Sequence, residues 1–190
     1  MDERPFIVGI GGTTRPQSSG ERVVRAVLAA TERQGAQTQM FPGDQLAAFP
    51  HFEPGSAVRT AGQVAFVEAV RRADGFVIGT PGYHGGVSGL VKNAIDLLED
   101  LATDTRPYFD GRAVGLVVTA AGWQGAVVTL QALRNVIHAM RGWPTPLGIA
   151  VNTVEQRPFN EAGELVDEAV KRQVEIQAGQ IMMLARQGGD

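Results

Sequence analysis

Along the chain, short dense apolar runs alternate with longer segments of helical spacing. Phe6–Ile10, Thr38–Phe41, Gly75–Gly79, Ala113–Thr119 and Pro146–Val151 are short and apolar, which predicts buried strands. Residues 19–34, 61–73, 88–101, 127–141 and 164–186 place apolar residues three and four apart, which predicts helices. Val23, Val24, Val27 and Leu28 make one such stripe. Leu165, Val166, Ala169, Val170, Val174, Ala178 and Ile181 make another. Strand and helix alternate five times, which predicts an α/β three-layer sandwich around a five-stranded parallel sheet. With no internal repeat, low-complexity tract or linker, residues 1–190 read as a single domain.

Composition narrows the function classes. Hydrophobic residues are 44% and charged residues 19%, an ordinary globular balance. The net charge of −3 gives no electrostatic case for gripping nucleic acid or an anionic membrane. Cysteine is absent, which excludes disulfides, thiolate nucleophiles and Cys-built metal sites. The apolar stretch near the N-terminus is too short for a signal-peptide core or a membrane span, so a soluble cytoplasmic protein is expected.

Glycine is the anomaly, at 24 of 190 residues, about twice the usual ~7%. Gly9, Gly11, Gly12 and Gly20 surround the end of the first strand. Gly79, Gly82, Gly85, Gly86 and Gly89 surround the end of the third, and Gly122 and Gly125 follow the fourth. Glycines also end strands and start turns with no ligand involved. In an open α/β sheet, however, ligands bind at the carboxyl ends of strands, at the switch point. With strand order 2-1-3-4-5 these three loops are neighbours and line one crevice.

The first loop, Gly11-Gly12-Thr13-Thr14-Arg15-Pro16-Gln17-Ser18-Ser19-Gly20-Glu21, joins hydroxyls and an arginine to a helix start. Free amides and a partial positive charge at a helix N-terminus suit a phosphate. Thr13, Ser18 and Ser19 offer hydroxyl donors, and Arg15 offers charge-assisted ones unless it is simply a solvated loop charge. No Gly-Lys-Ser/Thr follows, so this is not a nucleotide P-loop, and Thr14 stands where a dinucleotide fingerprint needs its third glycine. The hydroxyl-rich sequence suggests a terminal monophosphate. Ser18 and Glu21 also spell a capping box, so Ser18 serves the helix end, the phosphate, or both.

The second loop, Thr80-Pro81-Gly82-Tyr83-His84-Gly85-Gly86-Val87-Ser88-Gly89, sets one large aromatic among small residues. Such a loop brings main-chain amides close to a planar ring, with Tyr83 packing beside it. His84 points into the crevice or out to water, and its backbone rather than its imidazole is expected to matter. His51, His84 and His138 lack the nucleophile a hydrolase needs. Gly11-Gly12 and Thr80-Pro81 stand where a response-regulator receiver needs acids.

The segment from Gly79 to Asp96 matches the pattern Pro-x-Tyr-x-x-Ser-x-x-Gly-x-x-Lys-Asn-Ala-x-Asp except at its serine, where Gly86 stands, and closely resembles the signature of the NADPH-dependent FMN reductases. The first loop is similar to that family's Gly-Ser-x-Arg-x-x-Ser phosphate loop, and residues 159–168 are similar to its entry to the last helix. The resemblance implies a flavodoxin-like fold. It implies that Thr13, Arg15, Ser18, Ser19 and Gly20 hold the FMN phosphate. Pro81, Gly82, Tyr83 and His84 would then lie along the ribityl chain and isoalloxazine edge, and Ala121, Gly122, Trp123 and Gly125 would form the third wall. Trp123 either stacks over the flavin or covers the crevice rim. The family commonly has Glu, Asn and Ser where this chain has Gly82, His84 and Gly86, so side-chain contacts to the ring or a partner subunit differ here.

What the resemblance implies is hydride transfer from NADPH or NADH to FMN. The electrons then pass to a partner monooxygenase or to quinone, azo or metal acceptors. The flavin carries the chemistry, so no catalytic side chain is expected. The rival is a flavodoxin-like FMN-binding electron carrier without reductase activity, a class usually more acidic and richer in aromatics at the ring. The helix from Ser88 to Leu101 carries Leu90, Val91, Ala94, Ile95, Leu97, Leu98 and Leu101, more apolar surface than one sheet face needs. A homodimer through it is therefore expected, as the resemblance also implies, and the resemblance leaves a homotetramer open. Lys92 and Asp96, four apart, read as a helix-surface pair or a subunit contact.

Overall fold

The computed structural model describes residues 4–187. In chain order the elements are β1 Phe6–Ile10, α1 Ser19–Arg33, β2 Gln37–Phe41, α2 Gly43–Ala47, α3 Ala61–Arg72, β3 Gly75–Pro81, α4 Gly89–Asp96 running into a 3-10 turn Leu97–Leu101, β4 Ala113–Ala120, α5 Trp123–Ala139, β5 Trp143–Pro144, β6 Ile149–Asn152 and α6 Glu168–Ala185. All strand pairs are parallel, in the order β2-β1-β3-β4, with β5 and β6 both on the outer edge of β4. This is the expected 2-1-3-4-5 order, with the fifth position shared by two segments. β5 pairs Ala113 and Val114, and β6 pairs Val117 to Ala120. Between them the buried Gln177 amide donates to Leu116 O (3.1 Å) and Leu147 O (3.0 Å), bridging the gap from α6. One side chain thereby does the work of a missing ladder bond.

Strand alternation divides the core. Val8, Ile10, Phe76, Ile78, Val114 and Leu116 face α2 to α5 together with Phe66, Leu98, Phe109 and Ile137. Ile7, Val77 and Val117 face α1 and α6, where Val23, Val27, Val170, Val174 and Ile181 pack. On that second face the strands carry glycine. A Cβ on Gly9 would lie 2.6 Å from Leu28, one on Gly79 2.6 Å from Val24, and one on Gly115 2.8 Å from Ile181. Gly9 and Gly79 therefore let helices press onto the sheet rather than opening the crevice.

Four features differ from the sequence reading. The last helix begins at Glu168, not at 164, because Asp167 Oδ1 caps it by accepting from Ala169 N (2.8 Å) and Val170 N (3.0 Å). Leu165 instead bridges to Phe159 in a small antiparallel turn. The α5 helix starts at Trp123, not at 127, directly after β4. The short helix α2 was not anticipated. Finally, the helix over 88–101 has no surplus apolar face. Val91, Ala94, Ile95, Leu97, Leu98 and Leu101 are all buried within the chain, and Leu90 packs against the same core. Its argument for a dimer interface therefore falls away.

At the far end of the sheet, the fully buried Arg112 guanidinium lies over the Phe76 ring at 5.1 Å. It donates to Val70 O (2.7 Å) and Ala73 O (3.2 Å) at the end of α3, and to Tyr108 O. Burial, and then the nearby Arg106 charge, pull its pKa down to about 10. It is therefore still charged at neutral pH. No described helix is long and apolar enough to cross a membrane.

Candidate functional site

A crevice of about 360 Å3 opens at the carboxyl ends of β1, β3, β4 and β6, within the ~300–1,000 Å3 range of small-molecule sites. Its lining falls into two halves. Thr13, Thr14, Arg15, Ser18 and Ser19 form one, and Pro81, Gly82, Tyr83, Thr119, Ala120, Ala121 and Thr153 form the other.

The first half is a polar seat at the start of α1. Ser18 is the N-cap, and its Oγ accepts from Glu21 N at 3.3 Å. The reciprocal half of the capping box is not made, because Glu21 turns its carboxylate to Arg25, at 2.8 Å. Thr13 Oγ1 accepts from Arg15 N (2.9 Å), which folds the loop over, and Gln17 takes a left-handed backbone at φ 52. Among the described residues the Arg15 guanidinium has neither a hydrogen-bond nor a carboxylate partner. Hydroxyls, free amides and one uncompensated cation thus converge on one end of the crevice, a donor set suited to a phosphate.

The second half is flat and small-walled. Gly82 N donates to Thr119 O (2.8 Å), so β3 keeps pairing with β4 up to the crevice. A Cβ on Gly82 would lie 3.0 Å from Gly125 O and 3.1 Å from Ala120 Cβ. The start of α5 therefore occupies the space that a side chain at position 82 would need. After it, Tyr83 O accepts from Gly86 N (3.0 Å) across His84 (φ 53) and Gly85 (φ 77), both left-handed, a turn of the I′ class. The turn leaves Tyr83 half in the crevice and half in solvent. Opposite it, Thr153 donates twice to Ala120 O, from N at 2.8 Å and from Oγ1 at 3.2 Å. Asn152 Oδ1 receives Val154 N (3.1 Å) and shapes that turn.

Of the residues singled out from sequence, Thr13, Arg15, Ser18, Ser19, Pro81, Gly82, Tyr83 and Ala121 come together here. Gly20 lies just beneath, buried against the Thr119 side chain. His84 is exposed on the outside of its turn. Gly122 is the N-cap of α5, and Gly125 sits in its first turn behind Gly82. Trp123 does not line the crevice, since its indole N–H is held by Glu155 Oε2 at 2.7 Å. Thr14, Thr119, Ala120 and Thr153 line it without having been picked out. The rule that ligands gather at strand ends points to the last three, because they end β4 and follow β6.

A profile of the NADPH-dependent FMN reductases matches residues 5–156. An FMN-dependent NADPH-azoreductase of Staphylococcus saprophyticus is 34% identical over 94 residues, 48% of this chain and 45% of the relative. An NAD(P)H-dependent FAD/FMN reductase of Geobacillus thermodenitrificans is 31% identical over 108 residues, 57% of this chain and 54% of the relative. The matched stretch spans about half the length of each. Among solved structures, an oxidoreductase from Corynebacterium diphtheriae superposes with a TM-score of 0.72 at 21% identity, over 96% of this chain and 97% of that one. A WrbA-like flavodoxin from Agrobacterium tumefaciens superposes with a TM-score of 0.62 at 18% identity, over 97% and 98%. These two share the fold. Matched over most of its length, with the crevice at the strand ends where its two signature loops meet, the chain belongs to the NADPH-dependent FMN reductase family of oxidoreductases.

Proposed function

We propose that the crevice binds FMN and that the protein reduces it with NADPH or NADH. One observation carries this reading. The lining splits into a phosphate-suited end and a flat end at a single opening, which is the division a flavin mononucleotide presents. Thr13, Arg15, Ser18 and Ser19 would hold the phosphate with the start of α1. Pro81, Gly82, Tyr83 and Ala121 would bracket the ring, and the close backbone at Gly82 lets it lie against main chain. The flavin supplies the hydride chemistry. The chain orients it, leaves a face open for the nicotinamide, and offers donors to charge developing on the ring.

Downstream, the acceptor is a quinone, an azo compound, a metal oxyanion or the flavin site of a partner monooxygenase. The proposal includes a homodimer or homotetramer, resting on the family resemblance alone, because the α4 face is already covered. The test is an FMN titration of the purified protein, followed by NADPH and NADH oxidation with FMN or a quinone present. Tight FMN binding and rapid oxidation of either nucleotide are expected. Failure to bind FMN or to oxidise both nucleotides overturns the proposal. A protein that binds FMN but stays oxidised when mixed with NADPH is an electron carrier instead.

A further inference from the structure

The two loops of the crevice touch beneath its floor. A Cβ on Gly12 would lie 2.3 Å from Gly79 O and 2.7 Å from Thr80 Cα, so the loops meet backbone to backbone. Across that contact Ser88 Oγ donates to Gly12 O at 3.3 Å. Among the described residues this is the one hydrogen bond that joins the first loop to the second.

Ser88 is deeply buried at 5% exposure, and it is engaged on every side. Its Oγ also accepts from Val91 N (3.3 Å) as the N-cap of α4, and its own N–H donates to Thr80 Oγ1 (3.0 Å). Thr80, 1% exposed, in turn donates its hydroxyl hydrogen bond to Pro81 O at 3.1 Å. A hydroxyl has one proton and two lone pairs, so capping and bridging use different parts of the same group. Neither Ser88 nor Thr80 lines the crevice. Their partners Gly12 and Pro81 are the residues beside or within its lining, next to Thr13 at the phosphate end and Gly82 at the ring end.

We propose that Ser88 is a positioning residue that sets the spacing between the phosphate end and the ring end of the crevice. This rests on the FMN reading above. A ligand that uses both ends needs them in register, whereas a ligand that uses only the ring end does not. Riboflavin, which has the same ring and no phosphate, separates the two requirements. A serine that only capped α4 would, when removed, loosen the ring loop and weaken both ligands alike.

The experiment measures dissociation constants of FMN and riboflavin by equilibrium titration of the full chain, in the wild type and in Ser88→Ala. The wild type should prefer FMN. In Ser88→Ala, FMN should weaken roughly three- to tenfold, the worth of one hydrogen bond, with riboflavin changing less, so that the preference narrows. Equal weakening of both ligands, or no change in either, overturns the proposal. If Ser88→Ala does not fold, Ser88→Cys, which keeps the volume but donates weakly, carries the same comparison. A wild type that binds FMN no better than riboflavin refutes the phosphate seat instead, and one that binds neither refutes the flavin reading.

Discussion

Gly82 sits so close to Thr129 that a Cβ on it would lie 2.9 Å from the threonine Oγ1. Thr129 is fully buried on α5, and its hydroxyl has no hydrogen-bond partner among the described residues. The second crevice loop is therefore pinned between β4 and the first turns of α5. Gly82→Ala should push this contact apart, destabilising the protein by about 1–3 kcal/mol, as overpacking does. Gly82→Glu, which restores the residue common in the family, should do worse. Adding Thr129→Ala to Gly82→Ala should recover part of the loss, because Thr129 is the nearest of the three obstructing groups. Denaturant unfolding of these variants and of Thr129→Ala alone checks this, and an additive double mutant would show that Thr129 is not the obstruction.

His84 should matter for its backbone and not for its ring. It is exposed, yet it holds a left-handed backbone in the turn that presents Tyr83. Asn and Gly adopt that conformation readily, and β-branched residues do not. His84→Asn and His84→Gly should keep FMN affinity and nucleotide oxidation near wild type. His84→Val should lose both stability, by about 1 kcal/mol or more, and FMN affinity. Equal loss in His84→Asn and His84→Val would assign the imidazole a direct role.

Much of this was legible in the sequence, and the exceptions have physical reasons. Strands β1, β3 and β4 are dense apolar runs because both faces are covered, and a run of that kind shows without any tertiary knowledge. The two loops showed their chemistry through residue type, with hydroxyls and Arg15 in one and Tyr83 among glycines in the other. The start of α5 did not show, because its N-cap is Gly122 and no side chain caps it. The start of α6 was hidden by Leu165 and Val166, which extend the apolar stripe past the real cap at Asp167. The break between β5 and β6 depends on Gln177, far along the chain on another helix. Counting glycines at strand ends also merged two roles. Gly12 and Gly82 let the crevice loops pack against each other and against α5, while Gly9 and Gly79 let helices press onto the sheet, and only the direction of the missing Cβ tells them apart.

Arg112 should carry stability without carrying function. Its guanidinium satisfies backbone carbonyls at the end of α3 and in the segment before β4, at the opposite end of the sheet from the crevice. Arg112→Met would leave those buried acceptors unpaired, at about 1–3 kcal/mol per orphaned group. A drop of about 3 kcal/mol or more in unfolding free energy is expected. Arg112→Lys should recover little, since an ammonium cannot span the same fork of acceptors. FMN affinity, measured on the folded fraction, should be unchanged in both. A selective loss of FMN binding with stability intact would mean that this end of the sheet is coupled to the crevice.

Arg15 should separate ligands by their phosphate. Its guanidinium is exposed on the crevice wall with no partner among the described residues, so removing it breaks no internal contact. Arg15→Ala should therefore leave the unfolding midpoint within error of wild type. A charge-assisted hydrogen bond to a phosphate is stronger than a neutral one, but solvent at an exposed site screens it. Taken together, a loss of about tenfold in FMN affinity is expected, with riboflavin affinity unchanged. Arg15→Lys should recover part of the loss, because it restores the charge but not the paired donors. The difference between wild type and Arg15→Ala should also shrink as salt rises, since the lost interaction is largely electrostatic. Equal weakening of FMN and riboflavin would place Arg15 at the ring rather than the phosphate, and no change in either would make it a solvated loop charge.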